Sequence, residues 1–473
     1  MRKRNNLFVG IYCNPTTAKR DFPNRINEEC YTLLKKGGVN AIFGNWELYD
    51  DPSLLKDEIA LAEKVGIAFY PRLPIFQNFW TMENCKSNRD LKPFSSLSDE
   101  EKEKLGTQFV KEVKECFKSP AVPGIFFSDE VGINGQKGIA YAKSLFDKNF
   151  PNKEFRLNTL NYLFNDAMLY YANGGSINVD PQYIPALTGN LADGDPNNHL
   201  SRYEYLWSET RKLYHQEICS CDGYPYLSYW KELPSSIHKM LFELNAYYAE
   251  KRPEWGYDEY DHYIQTGTWD SPLRPLSEGE FALQISITLA YGHEGIVFFP
   301  GVFPPEWLDE FPSCIGGQVA LIDMMGRPTI YYHYAKNYLE FLQPLYTNYL
   351  SKLDFKGVYG YGKFKMDYDA ESIKDLKDND AIFAGEIPNM VIYEPNGIEK
   401  IDTSSQLLIS TFLDENGKEK YLFTNTSTQN KAIANITFKN GMDVIYGEDG
   451  QRKLLGVKEV SFSLRPGKLI YIG

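Results

Sequence analysis

Val122-Pro-Gly-Ile-Phe-Phe-Ser-Asp129-Glu130 leads from a turn through an apolar, aromatic run of strand length into two adjacent carboxylates. Short continuous apolar runs of this kind read as strands buried on both faces, the form that parallel sheets take. At the carboxyl end of such a strand, side chains face a binding crevice instead of the core. A strand that ends in an acid is how a (β/α)8 barrel presents a catalytic group. The flanking sequence should then supply seven more strand–helix units.

Working outward, it does. Leu7 to Tyr12 is strand-like and stops at the Cys13-Asn14-Pro15 turn; a helix over about 25–36 follows. Gly38 to Gly44 makes a second strand, running into Asn45-Trp46-Glu47, and Leu54 through Val65 has helical spacing closed by Gly66. Gly66 to Tyr70 is the third strand, followed by a long aromatic loop to Phe94. Ser98-Asp-Glu-Glu101 is a capping box ahead of a helix whose face is Leu105, Phe109, Val113 and Cys116. Beyond the fourth strand come a helix from Gly138 to Phe150 and strands Glu154–Leu160, Glu217–Asp222, Tyr260–Gln265 and Gly295–Phe299. Residues 165–200 read as an elaborated loop, with a helix from Tyr203 to Leu213 after it, and further helices are expected over Ile237–Glu250, after the Ser277 cap and over about 330–345.

Eight such units over about 345 residues predict a (β/α)8 barrel over residues 1–353. After Leu353 the period changes to two. Gln406–Phe412, Lys420–Thr424 and Val460–Leu464 alternate and are joined by Asn-Gly and Asp-Gly turns, which predicts a β-sandwich over 354–473.

Composition narrows the function. The chain has 473 residues, 43% of them apolar and 24% charged, as in a globular protein. Its formal charge of −13 disfavours nucleic acid or an acidic membrane surface as partner. No apolar run approaches a membrane span or the core of a secretion signal, so the cytoplasm is the expected location. Seven scattered cysteines make no disulfide framework, and Cys219 and Cys221 lack a second pair for zinc. The six histidines form no HExxH or tight pair, so neither a metal nor another cofactor is expected. No nucleophile elbow or phosphate-binding glycine loop is present. Aromatic residues reach 15%; they fill large cores, and their faces also stack on sugar rings.

Glycosidic bonds are usually cleaved by two carboxyl groups, one protonating the leaving oxygen and the other attacking or activating water. Strand four offers Asp129 and Glu130, strand six offers Asp222, and strand seven ends in Gln265, an amide that cannot serve as nucleophile or base. The expected pair is Glu130 with Asp222. Glu130 is the acid, since a longer side chain beside an aromatic wall is more readily desolvated, and Asp129 orients its neighbour or binds a hydroxyl. Asp222 could instead start an Asp-Gly-Tyr-Pro turn. Glu278 and Glu280 belong to a capping box, and Glu47 and Asp270 are weaker candidates. Asn45, Asn158, Tyr224 and Gln265 could bond sugar hydroxyls, while Trp46 and Trp269 could stack on rings.

The order of these segments resembles barrel proteins classed with the glycoside hydrolases of gut and environmental bacteria. The resemblance rests on Gly124 to Glu130, Asn158 to Tyr162, Tyr203 to Leu206, Asp222 to Pro225, Ile264-Gln265 and Arg274 through Phe299, with a sandwich closing in Leu464-Arg-Pro-Gly-Lys-Leu-Ile-Tyr471. It implies a sugar-acting enzyme with Glu130 at the acid/base position of retaining barrel glycosidases. The chain departs from that pattern at Gln265, where the common retaining arrangement has a glutamate nucleophile. Two readings follow: a glycoside hydrolase that needs no cofactor, or a carbohydrate-binding barrel that has lost hydrolysis with its strand-seven acid. A lyase or transferase on the same scaffold is a third.

Overall fold

A computed structural model describes residues 4–19, 21–80, 91–129, 135–159, 210–226, 238–267, 275–305, 320–361 and 390–473. The expected loop over 165–200 and most of the helix after it lie outside these residues. Eight parallel strands are present: β1 (Phe8–Ile11), β2 (Ala41–Phe43), β3 (Ala68–Tyr70), β4 (Gly124–Asp129), β5 (Glu154–Asn158), β6 (Ile218–Asp222), β7 (Glu259–Gln265) and β8 (Gly295–Phe299). Between and after them lie helices α1 (Glu28–Lys36), α2 (Glu47–Asp50), α3 (Leu54–Val65), α4 (Gln77–Trp80), α5 (Asp99–Cys116), α6 (Gln136–Asn149), α7 (Leu244–Trp255), α8 (Glu278–Ala290) and α9 (Ile330–Asn348).

Six strands form one sheet in the order β3-β2-β1-β8-β7-β6, and β4 pairs with β5. Backbone hydrogen bonds connect the two groups at both sides. Phe69 N donates to Ala121 O at 2.8 Å and Phe126 N to Pro71 O at 3.1 Å, between the β3 and β4 segments. At the other side Thr159 N donates to Ser220 O at 3.2 Å, and Thr159 bridges Cys221 in parallel sense.

The helix ends follow local chemistry. Both predicted capping boxes form, at Ser98 with Glu101 and at Ser277 with Glu280. α3 ends at Gly66 in the left-handed region (φ 72°), a conformation that glycine adopts without a Cβ penalty.

The two faces of the parallel strands differ. Val9, Ile11, Ile42, Phe69, Ile296 and Phe298 pack into the large apolar core under the helices. The opposite face carries Phe8, Tyr12, Phe43, Phe126, Tyr263 and Phe299 in an aromatic cluster. Toward the amino ends of the strands that face holds a buried ionic network. Arg156 pairs with Asp261 and, at 2.8 Å, with Glu154; Arg4 bonds Glu154 at 2.7 Å and Glu259 at 2.5 Å. β8 begins with Gly295 because any Cβ there would collide with Asp261 Oδ1.

From Asp354 the chain builds an antiparallel sheet of β9 (Asp354–Tyr361), β10 (Ile398–Thr403), β11 (Leu407–Leu413), β12 (Glu419–Asn425), β13 (Ala432–Gly447), β14 (Gly450–Leu464) and β15 (Leu469–Ile472). Its order is β10-β13-β15-β12-β11-β9, with β14 against β13. Period-two alternation in β11 sends Leu407 and Ile409 into a cluster with Ala434, Ile436 and Phe462. Leu408 and Phe412 point the other way, into the core shared with the helices. α8 is apolar nearly all round and buried along its length, as a helix between two layers must be. One side of it stacks Phe281 on Phe298 of β8 (ring centroids 5.8 Å apart), and its Ser286 hydroxyl donates to Gly467 O at 2.6 Å.

Candidate active site

Polar residues at or just past the carboxyl ends of β1, β3, β4 and β5 meet in one region. Asp129 and Asn158 are register partners at the ends of β4 and β5, and Asn158 Nδ2 donates to Asp129 Oδ1 at 3.0 Å. The other oxygen, Asp129 Oδ2, accepts from the Tyr12 hydroxyl at 2.7 Å. Tyr12 in turn accepts from Arg72 Nη1, just past β3. Burial holds the Tyr12 phenol well above its ordinary pKa, so it is a proton donor at neutral pH.

A break in strand register turns Asp129 toward this region. Phe126 pairs with Arg156, but Ser128 already pairs with Leu157, a β-bulge at Phe127. Phe126 belongs to the aromatic cluster and Phe127 to the core under the helices. The bulge shifts the alternation by one residue, so Asp129 takes the side of Phe126, beside Tyr12 and Asn158. Glu130 lies outside the described residues.

Asp222 ends β6 and is buried, with 3% of its surface exposed. It pairs in register with Tyr263 of β7. The Tyr263 hydroxyl is buried and makes no hydrogen bond. Its phenol is raised well above the usual range by burial first, then by the charges of Asp129 and Asp222.

Aromatic rings line the same region. Tyr12 stacks on Phe299 (5.6 Å) and meets Trp46 edge-on (5.3 Å), while Tyr224 stacks on Phe299 from the other side (5.4 Å). Asn45 is 4% exposed, and its Nδ2 has no hydrogen-bond partner. Among the described residues no group of three or more His, Cys, Asp or Glu could hold a metal ion.

No known family profile matches the chain, and no curated relative matches it. Solved structures with a similar fold are glycoside hydrolases. A β-L-arabinopyranosidase of glycoside hydrolase family 27 from Geobacillus stearothermophilus has a TM-score of 0.47 at 11% identity, over 99% of this chain and 96% of that one. A family 42 β-galactosidase from G. stearothermophilus, solved as a catalytic mutant, has 0.47 at 10% identity, over 99% and 98%. A β-galactosidase from the psychrophilic Marinomonas ef1 has 0.42 at 9% identity over 74% of this chain, which spans only 62% of its length. These likenesses are too remote to transfer a reaction or a residue's role.

Of the residues singled out in the sequence, Asp129, Asn158, Asp222, Asn45, Trp46 and Tyr224 take places around this region. Trp269 lies outside the described residues. Gln265 is fully buried, and its side chain is spent on backbone: Oε1 accepts from Tyr226 N at 3.1 Å, and Nε2 donates to Gly267 O at 3.2 Å and Tyr226 O at 3.4 Å. These bonds tie it to the turn after Asp222. Glu47 is likewise occupied, by Lys19 at 2.8 Å and by Thr17. Glu280 caps α8, and Glu278 lies 3.4 Å from Lys468.

Three residues of the region escaped the sequence reading: Tyr12, Arg72 and Tyr263. Tyr12 and Tyr263 read as strand filler, and Arg72 follows its strand at Pro71, where a loop cation is ordinary. The alternation of Glu259, Asp261, Tyr263 and Gln265 with Tyr260, His262 and Ile264 was the available signal for Tyr263.

Proposed function

We propose that the chain is a glycoside hydrolase whose eight parallel strands close into a (β/α)8 barrel over residues 1–353, with a β-sandwich over 354–473 packed against α8 and α9. The backbone bonds from β3 to β4 and from β5 to β6 support closure. The split of β11 side chains between two clusters supports the sandwich.

The observation that supports the functional reading is that Asp129, Asn158 and Asp222 end β4, β5 and β6, with Asp222 in register with Tyr263 of the aromatic cluster. In this reading Glu130 protonates the leaving oxygen and Asp222 attacks the anomeric carbon or activates water. Asp129, fixed by Tyr12 and Asn158, orients them. Asn45, Trp46, Tyr224 and Trp269 contact the sugar, and Gln265 positions the Asp222 turn. A screen of aryl glycosides with wild type, Glu130→Gln and Asp222→Asn tests it. Cleavage by the wild type, lost in both variants, supports the reading; cleavage that survives both substitutions rejects it.

The second reading, a carbohydrate-binding barrel without hydrolysis, is favoured by one observation. Strand seven ends in an amide already consumed by backbone. Retained sugar binding with no turnover of any glycoside would select it.

A further inference from the structure

We infer that the substrate carries an anionic group, a uronic carboxylate or a sulfate ester, bound by Arg72 with Asn45 at the edge of the same region. The inference rests on the carbohydrate-site reading above and adds the charge of the sugar.

Arg72 is 3% exposed, and among the described residues no carboxylate lies within ion-pairing distance of it. Its hydrogen-bond partners are two neutral phenols: Nε donates to Tyr49 and Nη1 to Tyr12. Rings wall it in, with the guanidinium carbon 4.9 Å from the Tyr49 centroid, 5.5 Å from Phe126, 5.7 Å from Tyr12 and 5.8 Å from Trp46. Two other buried arginines differ. The buried Arg156 has Asp261 and Glu154 against it, and Arg252 has Glu294 at 2.7 Å. Buried guanidinium groups are ordinarily paired, because desolvating an unpaired cation is costly. Among the described residues Arg72 lacks that anion, and the bonds it makes use Nε and Nη1.

A second buried donor lies at the end of the neighbouring strand β2. Gly44 lies against the Arg72 backbone, where a Cβ would come within 2.6 Å of Arg72 N, and Asn45 is the next residue. The Asn45 Nδ2 group is buried without an acceptor. A planar guanidinium edge with a nearby amide donor is complementary to a carboxylate or sulfate oxygen pair. The Tyr12 hydroxyl, shared between Arg72 and Asp129, puts this cation one phenol away from a strand-end acid. A sugar reaching the acids could thus place an anionic substituent on Arg72.

Calorimetric titration of the full chain with D-galacturonate, D-glucuronate and galactose 6-sulfate, each against its neutral parent, tests the inference without requiring turnover. We expect at least one anionic sugar to bind about tenfold or more tighter than its parent, given the strength of a charge-assisted bond. The uronate and sulfate arms identify the source of the charge. Arg72→Gln should equalise the pair and Arg72→Lys should restore part of the preference, while the melting temperature and binding of the neutral parent report whether each variant is folded. Equal or weaker binding of all anionic sugars, no binding of any sugar, or a preference untouched in Arg72→Gln overturns it. Failure of the hydrolase reading would look different: a preference for anionic sugars would persist with no glycoside cleaved.

Discussion

The Tyr12 hydroxyl donates to Asp129 Oδ2 at 2.7 Å while accepting from Arg72, so a single phenol joins a buried cation to a strand-end carboxylate. Removing that oxygen frees Asp129 to rotate about its remaining bond to Asn158. Tyr12→Phe keeps the stack on Phe299, so the fold should survive. Loss of a hydrogen bond to a charged group, ~1.5–3 kcal/mol, corresponds to a fall in kcat/KM of ~10- to 100-fold on a cleavable aryl glycoside. An unchanged kcat/KM would remove Asp129 from the working site.

Gln265→Glu asks whether strand seven is a vacant nucleophile position. The amide donates to Gly267 O and Tyr226 O, and a carboxylate would face those carbonyls with no proton to share. The substitution should cost ~1–3 kcal/mol in stability and bring no gain in hydrolysis. A denaturant titration and an activity assay check both halves. Raised activity would mean that the strand-seven acid was what the site lacked.

Arg156 lies buried between Asp261 and Glu154. Arg156→Met leaves Asp261 without its cation while Arg4 still pairs with Glu154, and breaking a buried pair on one side costs ~3–5 kcal/mol. The urea midpoint should fall accordingly. A midpoint equal to wild type would show that the network contributes nothing to the folded state.

Glu294 is buried, and burial, opposed by Arg252, raises its pKa to about 7. Its folded value lies above the ~4.3 of an exposed glutamate. Its contribution to stability is therefore fully present below pH ~4.3 and is lost as pH rises through about 7. Wild type should lose stability across that window, and Glu294→Gln should flatten the profile there. Melting temperatures taken from pH 4 to 8 read the difference, and parallel profiles would contradict it.

The sequence made strand and helix positions legible where local chemistry acts alone. Ser98 with Glu101 and Ser277 with Glu280 cap as the pattern requires, and Gly66 ends α3 where the hydrophobic spacing stops. The strand-end residues Asp129, Asn158 and Asp222 were likewise readable, because each follows an apolar run. What stayed hidden depends on contacts distant in sequence. Nothing in Ile-Phe-Phe-Ser-Asp129 announces the bulge at Phe127 that turns Asp129 toward Tyr12. That Arg72 bonds two phenols and, among the described residues, no acid is equally a matter of which distant segments fold against it. Gln265 reads as a ligand-facing amide until the Tyr226 backbone is brought beside it.

The most direct test of the account is the ratio of kcat/KM for aryl glycoside hydrolysis between folded Asp222→Asn and wild type, with Glu130→Gln measured alongside. General acid–base and nucleophilic roles predict losses of ~10²- to 10⁴-fold in each variant with an unchanged melting profile. Wild-type rates in Asp222→Asn would contradict a strand-six acid acting at this site, and with it the proposed cleavage.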